Sequence, residues 1–313
     1  YATINSDHNT LMSTWIFIVA SKNIDFDKFI KLTYYVQLIM IAVVIYMYFN
    51  GYIKDYSIYR GSVLRHSWGF SHPNQLGVRF FLLMVCRCYY RRKNLNAIDI
   101  SLVIAAAVFV NKVANSKTSY YALIILAVIS IVYTMLVYLD GNMNFFANIC
   151  IFTAVLTNVG SIILSTINLN NYSLLKAFDV VMSKRFSHCY RTMKYYGIEL
   201  WGQDVQLIVK RPIIGTIYHF WLDNAYMAIL LRYGIIVFLI FSTLYIVAMI
   251  YLKRSEHFYL LGIMSLYSIY GIMENNYFSM SQNLFLLALS FPLFIHSNGS
   301  EHAGAFSKVK IVW

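Results

Sequence analysis

The sequence predicts an all-α fold: a polytopic transmembrane helical bundle of about nine spans, with one long extracytoplasmic loop that contains an amphipathic helix. Three observations carry this. Of 313 residues, 59% are apolar and only 12% charged, with mean hydropathy +0.59. A soluble domain carries about a quarter charged residues, so lipid rather than water has to cover most of the exterior. Apolar runs long enough to cross a bilayer recur along the chain. The Lys and Arg residues between those runs also sort by side.

Taken in order, the spans are expected at about 10–20, 29–50, 75–90, 97–111, 119–139, 144–165, 225–252, 258–273 and 284–296. The whole of 1–313 reads as a single transmembrane domain, with an external loop over 51–74 and the long external loop over 168–224. Within the latter, Leu174, Leu175, Phe178, Val181, Met182, Phe186, Tyr190 and Met193 recur at helical spacing. One amphipathic helix lying on the outer membrane surface is expected there. Residue 1 is Tyr, and a missing N-terminal segment is expected. Cys86, Cys88, Cys150 and Cys189 show neither metal-site spacing nor a disulfide framework.

Orientation follows from charge. Lys22, Lys28 and Lys31 occupy one connection, Arg87, Arg91, Arg92 and Lys93 a second, and Lys253 and Arg254 a third; Lys308 and Lys310 lie in the tail. Threading nine spans puts all four groups on one side, which is cytoplasmic by the positive-inside rule. The net charge is +12, from 25 Lys+Arg against 13 Asp+Glu. On a soluble chain that excess would suggest nucleic acid; in a membrane protein it points to anchoring charge and anionic lipid, and no nucleic-acid partner is expected. A second basic population falls on the external side, including Arg60, Arg65, Lys117, Arg185, Arg191 and Arg211, while Arg79 and Arg232 fall inside predicted spans. Intramembrane charge is costly and usually functional. Guanidinium groups grip phosphate oxygens through paired hydrogen bonds. An external site for a polyanion at the membrane interface is therefore expected.

Tyr59-Arg60-Gly61, then Arg65-His66-Ser67-Trp68-Gly69-Phe70-Ser71-His72-Pro73-Asn74-Gln75-Leu76-Gly77, resembles the external-loop signature of bacterial capsular and O-antigen polysaccharide repeat-unit polymerases. Ser116-Lys117-Thr118-Ser119 resembles that family's Ser-Arg-Thr element, with Lys117 replacing Arg. Ser183-Lys184-Arg185-Phe186 and Gly202-Gln203 resemble its long-loop pattern. Leu222-Asp223-Asn224-Ala225-Tyr226, followed by Gly234, resembles its Asp-Asn-x-Tyr motif. Glu274 lies in the last external turn, where the family often carries Glu. The resemblance runs from about Lys22 to Ser297 in this order.

The resemblance implies transfer of a growing glycan from polyprenyl diphosphate to a lipid-linked repeat unit, at the outer face of the bacterial cytoplasmic membrane. It implies a metal-independent glycosyltransferase with no cofactor. Its partners would be a polyprenyl-diphosphate-linked oligosaccharide, membrane lipid, a flippase and a chain-length regulator. Such chemistry needs a base and cations on the leaving diphosphate. Asp223 is the base candidate, with His219 four residues earlier as its rival; Asp223 also suits a helix N-cap, which Asn224 can fill instead. Arg60, Arg65, His72, Asn74, Arg79, Lys117, Arg185, Arg191, Arg211, Asn224, Arg232 and Glu274 are the substrate-binding candidates. His72 and Asn74, flanking Pro73, equally suit the start of the next helix. Asn275 and Asn276 join Glu274 as candidates for sugar hydroxyls. Tyr195, Tyr196, Trp201, Tyr218, Phe220 and Trp221 suit pyranose stacking or, more simply, a membrane-interface belt. Asp25-Phe26-Asp27 spells a metal-binding string of nucleotide-sugar transferases, but its cytoplasmic position favours a helix start, and no metal is expected. Two other functions compete: a ligase that passes finished glycan to a different acceptor, and a non-enzymatic flippase or transporter. A flippase should draw charge from many helices around a central cavity, whereas here charge concentrates in external segments.

Overall fold

The computed structural model describes residues 2–211 and 216–294; the side chains of Lys210, Arg211, Thr216 and Asn276 lie outside that description. The described residues are mostly helical, with two short hairpins. Two small helices, α1 (Ala2–Ser6) and α2 (Thr10–Ala20), lead into α3 (Phe26–Phe49). Asp25 starts α3 by accepting from Lys28 N at 3.0 Å, the capping role expected of the acidic string. Strands β1 (Ile58–Arg60) and β2 (Val63–Arg65) pair antiparallel, Tyr59 opposite Leu64. Asp55 organises the chain after them, accepting from Ser67 N at 2.8 Å and Trp68 N at 3.0 Å.

Helix α4 (Pro73–Arg91) begins with His72 as cap and Pro73 in its first turn. An Asn96–Asp99 capping box opens α5 (Ala97–Phe109), which ends in a π turn over Val110–Ala114. Asn115, in the left-handed region at φ 43, turns the chain into α6 (Lys117–Tyr138). Next comes α7 (Met143–Thr166), capped by Asn142. The stretch expected to be one amphipathic helix is two: α8 (Ser173–Val181) and α9 (Arg185–Tyr196). The physical reason is Asp179. Its buried carboxylate accepts from Phe186 N at 3.0 Å and from Ser187 Oγ at 2.5 Å, so the chain folds back to cap α9. Ser183 and Lys184 take positive φ to make the turn. The long loop also holds a second hairpin, β3 (Ile208–Arg211) with β4 (Thr216–His219). The last helices are α10 (Ala225–Arg254), α11 (Phe258–Met273) and α12 (Ser290–Leu293).

Among the described residues, five helical segments are long and apolar enough to cross a membrane: Phe26–Phe49, Ala97–Ala114, Lys117–Tyr138, Met143–Thr166 and Ala225–Arg254. Phe258–Met273 and Leu284–Leu293 are shorter apolar helices. Segment 284–296, expected as a span, is a 3-10 turn (Leu284–Leu289) followed by α12 within the described residues. Helix α4 buries most of its length and packs against α3, α5 and α6. Helices α3, α6 and α7 instead turn large apolar side chains outward, among them Leu32 (63% exposed), Ile39 (62%) and Phe152 (65%). Water would penalise such a surface heavily; the apolar helices mark a membrane-embedded protein. Inside, helix pairs are tied by hydrogen bonds such as Tyr226 Oη to Ser268 O at 2.8 Å and Tyr245 Oη to Met264 O at 2.7 Å. All four cysteines are free and buried.

Helix α10 is broken at Gly234 (φ 88, ψ 171). The segment 199–203 fills the break. Ile235 N donates to Glu199 O at 3.1 Å, Ile236 N to Leu200 O at 3.4 Å, and Gln203 N to Arg232 O at 3.0 Å. Groups that the helix cannot pair are thus satisfied by the loop, which non-helical backbone in an apolar setting requires. A Cβ on Gly202 would lie 2.2 Å from Arg232 O. Only glycine fits at the two facing positions, so Gly202-Gln203 and Gly234 are halves of one joint.

Candidate functional site

At one end of the bundle, residues of β1, α4, α6, α8, α9 and α11 converge on a small cleft. Its walls include Arg60 from β1, Asn74 from the first turn of α4, Lys117 and Thr118 from the start of α6, and Arg185 from the start of α9. Each reaches the cleft because an element begins or ends there. Pro73 and the His72 cap start α4 beside the β1–β2 hairpin. The Asn115 turn starts α6. The Asp179 cap starts α9 and delivers Arg185.

Arg65 is the strut of the hairpin wall. It is 4% exposed, with Nε donating to Ala114 O at 2.8 Å and Nη2 donating to Asn74 Oδ1. Burial, then the neighbouring Arg60, push its pKa down to about 10, so the guanidinium stays charged at neutral pH. Burial likewise lowers the pKa of His72, helped by Arg65 and Arg60. The neutral ring accepts from Asn74 N through Nδ1 at 3.0 Å. Thus His72 and Asn74 start the helix and brace Arg65.

Arg185 stands between two carboxylates. Nη1 lies 3.4 Å from Asp223 Oδ2 and Nη2 lies 3.5 Å from Glu274 Oε1, while Nη2 also donates to Thr118 Oγ1 at 3.4 Å. These are loose charge contacts, and Nη1 is buried without a hydrogen-bond partner. Burial pushes the Glu274 carboxyl above the usual carboxylate range, more than Arg185 pulls it down, and Asp223 adds to the rise. Asp223 is about half exposed. Asn224, fully buried, takes the α10 cap by accepting from Met227 N at 3.1 Å, which leaves Asp223 facing Arg185. Asn275 Nδ2 donates to Leu222 O at 3.1 Å and holds the last turn against the start of α10.

Other expected site residues lie apart from this cluster. His219 ends β4 instead of extending α10, so it does not share a helical face with Asp223; its exposed ring stacks on Trp221 at 6.2 Å. Arg79 reaches Ser281 O at 3.5 Å. Arg232 is in the field of Asp204 and His8, beside the Gly234 joint. Intramembrane cost shows that such a charge needs a partner, not which partner it takes. Arg191 lies on the exposed side of α9, near His188. The Arg211 side chain falls outside the described residues. Sequence reasoning missed His188, one turn beyond Arg185 on α9. Its ring packs 4.9 Å from Trp221. Burial and Arg191 lower its pKa against the opposing pull of Asp223 and Asp179. Its i, i+3 spacing from Arg185 was the available signal.

The opposite end carries a different kind of charge. Arg87 and Arg91 both meet the buried Asp99, at 2.7 and 3.4 Å, and Arg92 meets Asp27 at 2.7 Å. Basic residues counted as anchors therefore also lock α3, α4 and α5 together. Among the described residues, no group of three or more His, Cys, Asp or Glu is placed to hold a metal ion. No known protein family, curated protein or solved structure matches the chain.

Proposed function

We propose that the protein is a polysaccharide repeat-unit polymerase of the bacterial cytoplasmic membrane, with about nine spans and its cleft facing outward. One observation carries this reading: Arg60, Lys117 and Arg185 converge on a cleft at the end of an apolar bundle, beside the carboxylates of Asp223 and Glu274. By the positive-inside rule the basic connections at Lys22–Lys31, Arg87–Lys93 and Lys253–Arg254 are assigned to the other side, and the order of motifs resembles the repeat-unit polymerases. The long loop over 168–224 is extracytoplasmic in this reading.

An acceptor sugar hydroxyl attacks the anomeric carbon of the growing glycan. Asp223 takes the hydroxyl proton. The anomeric C–O bond breaks, and its electrons leave on the polyprenyl diphosphate. Arg60, Lys117 and the unspent Nη1 donor of Arg185 stabilise the charge that builds there. Lys117 offers a point charge rather than a two-pronged grip. Glu274, behind Arg185, positions the guanidinium. A flippase and a chain-length regulator are the partners this role requires.

The deciding experiment is gene disruption followed by glycolipid analysis. Single lipid-linked repeats accumulating at the outer face are the expected result. Long chains still on their lipid would mean a ligase, and repeats retained inside would mean a flippase; either sinks the proposal. Asp223→Asn is expected to abolish elongation, and full activity in that variant removes Asp223 from the base role.

A further inference from the structure

Helix α8 is the least covered helix at the cleft end. Leu174, Phe178 and Val181 follow one another at i, i+4 and i+7 along one face. They are 84%, 44% and 69% exposed. The opposite edge carries Lys176, and Asp179 turns inward to cap α9. The stripe is held in place: Phe178 stacks on the buried Phe186 of α9 at 5.9 Å. From Leu174 to Val181 it runs about 10 Å, and it ends at the cleft, because Val181 and Met182 line it together with Lys117 and Thr118. An apolar track thus opens directly onto a cationic pocket. Left in water, such a stripe carries a transfer penalty along its whole length, so something apolar covers it.

We propose that α8 and the cleft form one binding surface for an anionic amphiphile, with the phosphate head at Arg60, Lys117 and Arg185 and the hydrocarbon tail laid along Leu174, Phe178 and Val181. The occupant is argued from continuity and charge. A tail alone has no use for the cations at the end of the track, and an anion alone leaves the track uncovered. This deepens the proposed function, on whose anion-binding cleft it rests, by assigning the lipid part of the substrate to a particular helix. It also accounts for the division of the stretch into α8 and α9: the Asp179 turn aims the apolar helix and the arginine helix at the same point.

The test compares two probes on the purified full chain in detergent, farnesyl diphosphate and inorganic diphosphate. Farnesyl diphosphate is expected to bind at least about tenfold tighter, since a few buried methylenes supply that much. Leu174→Gln combined with Phe178→Gln, both away from the cleft wall, should remove most of the advantage and leave inorganic diphosphate affinity unchanged. Leu174→Gln alone, at the most exposed position, guards against a folding defect and should remove part of it. Equal affinity for the two probes in the parent chain overturns the tail site and leaves the cleft standing, provided that inorganic diphosphate binding falls in Lys117→Ala. A full farnesyl advantage in both variants also overturns it, and points to the bilayer as what covers the stripe. If neither probe binds, the cleft reading falls and the tail site with it.

Discussion

Replacing Gly234 by Ala should unlock the long loop from α10. The new Cβ would sit 2.4 Å from Leu200 O and 2.5 Å from Gly202 N, both backbone atoms of the docked segment. The backbone at φ 88 and ψ 171 is a region that only glycine enters freely, and holding another residue there costs roughly 1–3 kcal/mol. If the loop withdraws to relieve the clash, three hydrogen bonds between the two segments, at 3.0, 3.1 and 3.4 Å, are lost, each contributing roughly 0.5–1.5 kcal/mol. The combined loss is about 3–7 kcal/mol, enough to populate an undocked loop in a marginally stable protein. Limited proteolysis of the detergent-solubilised protein, alongside thermal unfolding, reads this directly. New cleavage is expected between 197 and 207, with a lowered Tm. Gly160→Ala is the control: nothing lies within 4 Å of its added Cβ, and a helix interior gains about 0.5–1 kcal/mol from Ala. A Gly234→Ala protein as protease-resistant as its parent would falsify the joint.

Asp179→Ala should cost about 1–2 kcal/mol, as loss of a strong cap does, and should open a protease site between Val181 and Arg185 without touching the rest of the bundle; an uncut loop would mean that α9 starts without it. Arg65→Ala removes the strut that ties the hairpin to the π turn after α5 and to the start of α4, with an expected loss of roughly 1.5–3 kcal/mol for its charged hydrogen bonds, read as a lower Tm and faster hydrogen exchange over 58–65; unchanged exchange there would refute the bracing role. Glu274 has a raised carboxyl in the fold. As pH climbs past the ordinary carboxylate value, the unfolded chain gives up that proton before the folded one, so stability should fall through the window between the two values and level off above it. Glu274→Gln should flatten this part of a Tm-versus-pH curve, and a slope identical to the parent's would rule the group out.

Local signals were legible and distant ones were not. Asp25, Asn142 and Asn224 sit where a capping residue precedes an apolar run, a pattern complete within four residues. The division of 174–196 was hidden, because the apolar rhythm continues across the break and Asp179 finds its partners only after the chain reverses. Gly202 and Gly234 were each visible as motif residues, but their mutual fit depends on two segments meeting. Arg60, Lys117 and Arg185 were selected as external charge in a chain poor in charge, and the fold brings them to one cleft. Arg79 and Arg232 were selected instead as charge inside predicted spans, and the fold sends them elsewhere. The short apolar helices after α10 posed a different problem: α11 and the 284–293 segment are apolar on every face because protein surrounds them, and hydropathy reads that burial in the same way as lipid.

The cleft also sets an order of events in biogenesis. Arg65 reaches across 49 residues to its carbonyl on the π turn, and Arg185 reaches across 67 to Thr118. Contacts of that sequence separation close late, since the loop entropy between them must first be overcome. As the chain inserts, Arg60 and Lys117 are laid down early and stay unpartnered by Arg185 until α9 turns at Asp179 and α10 has received the 199–203 segment. A half-inserted chain therefore presents scattered single charges. Only the finished chain holds all three around one point.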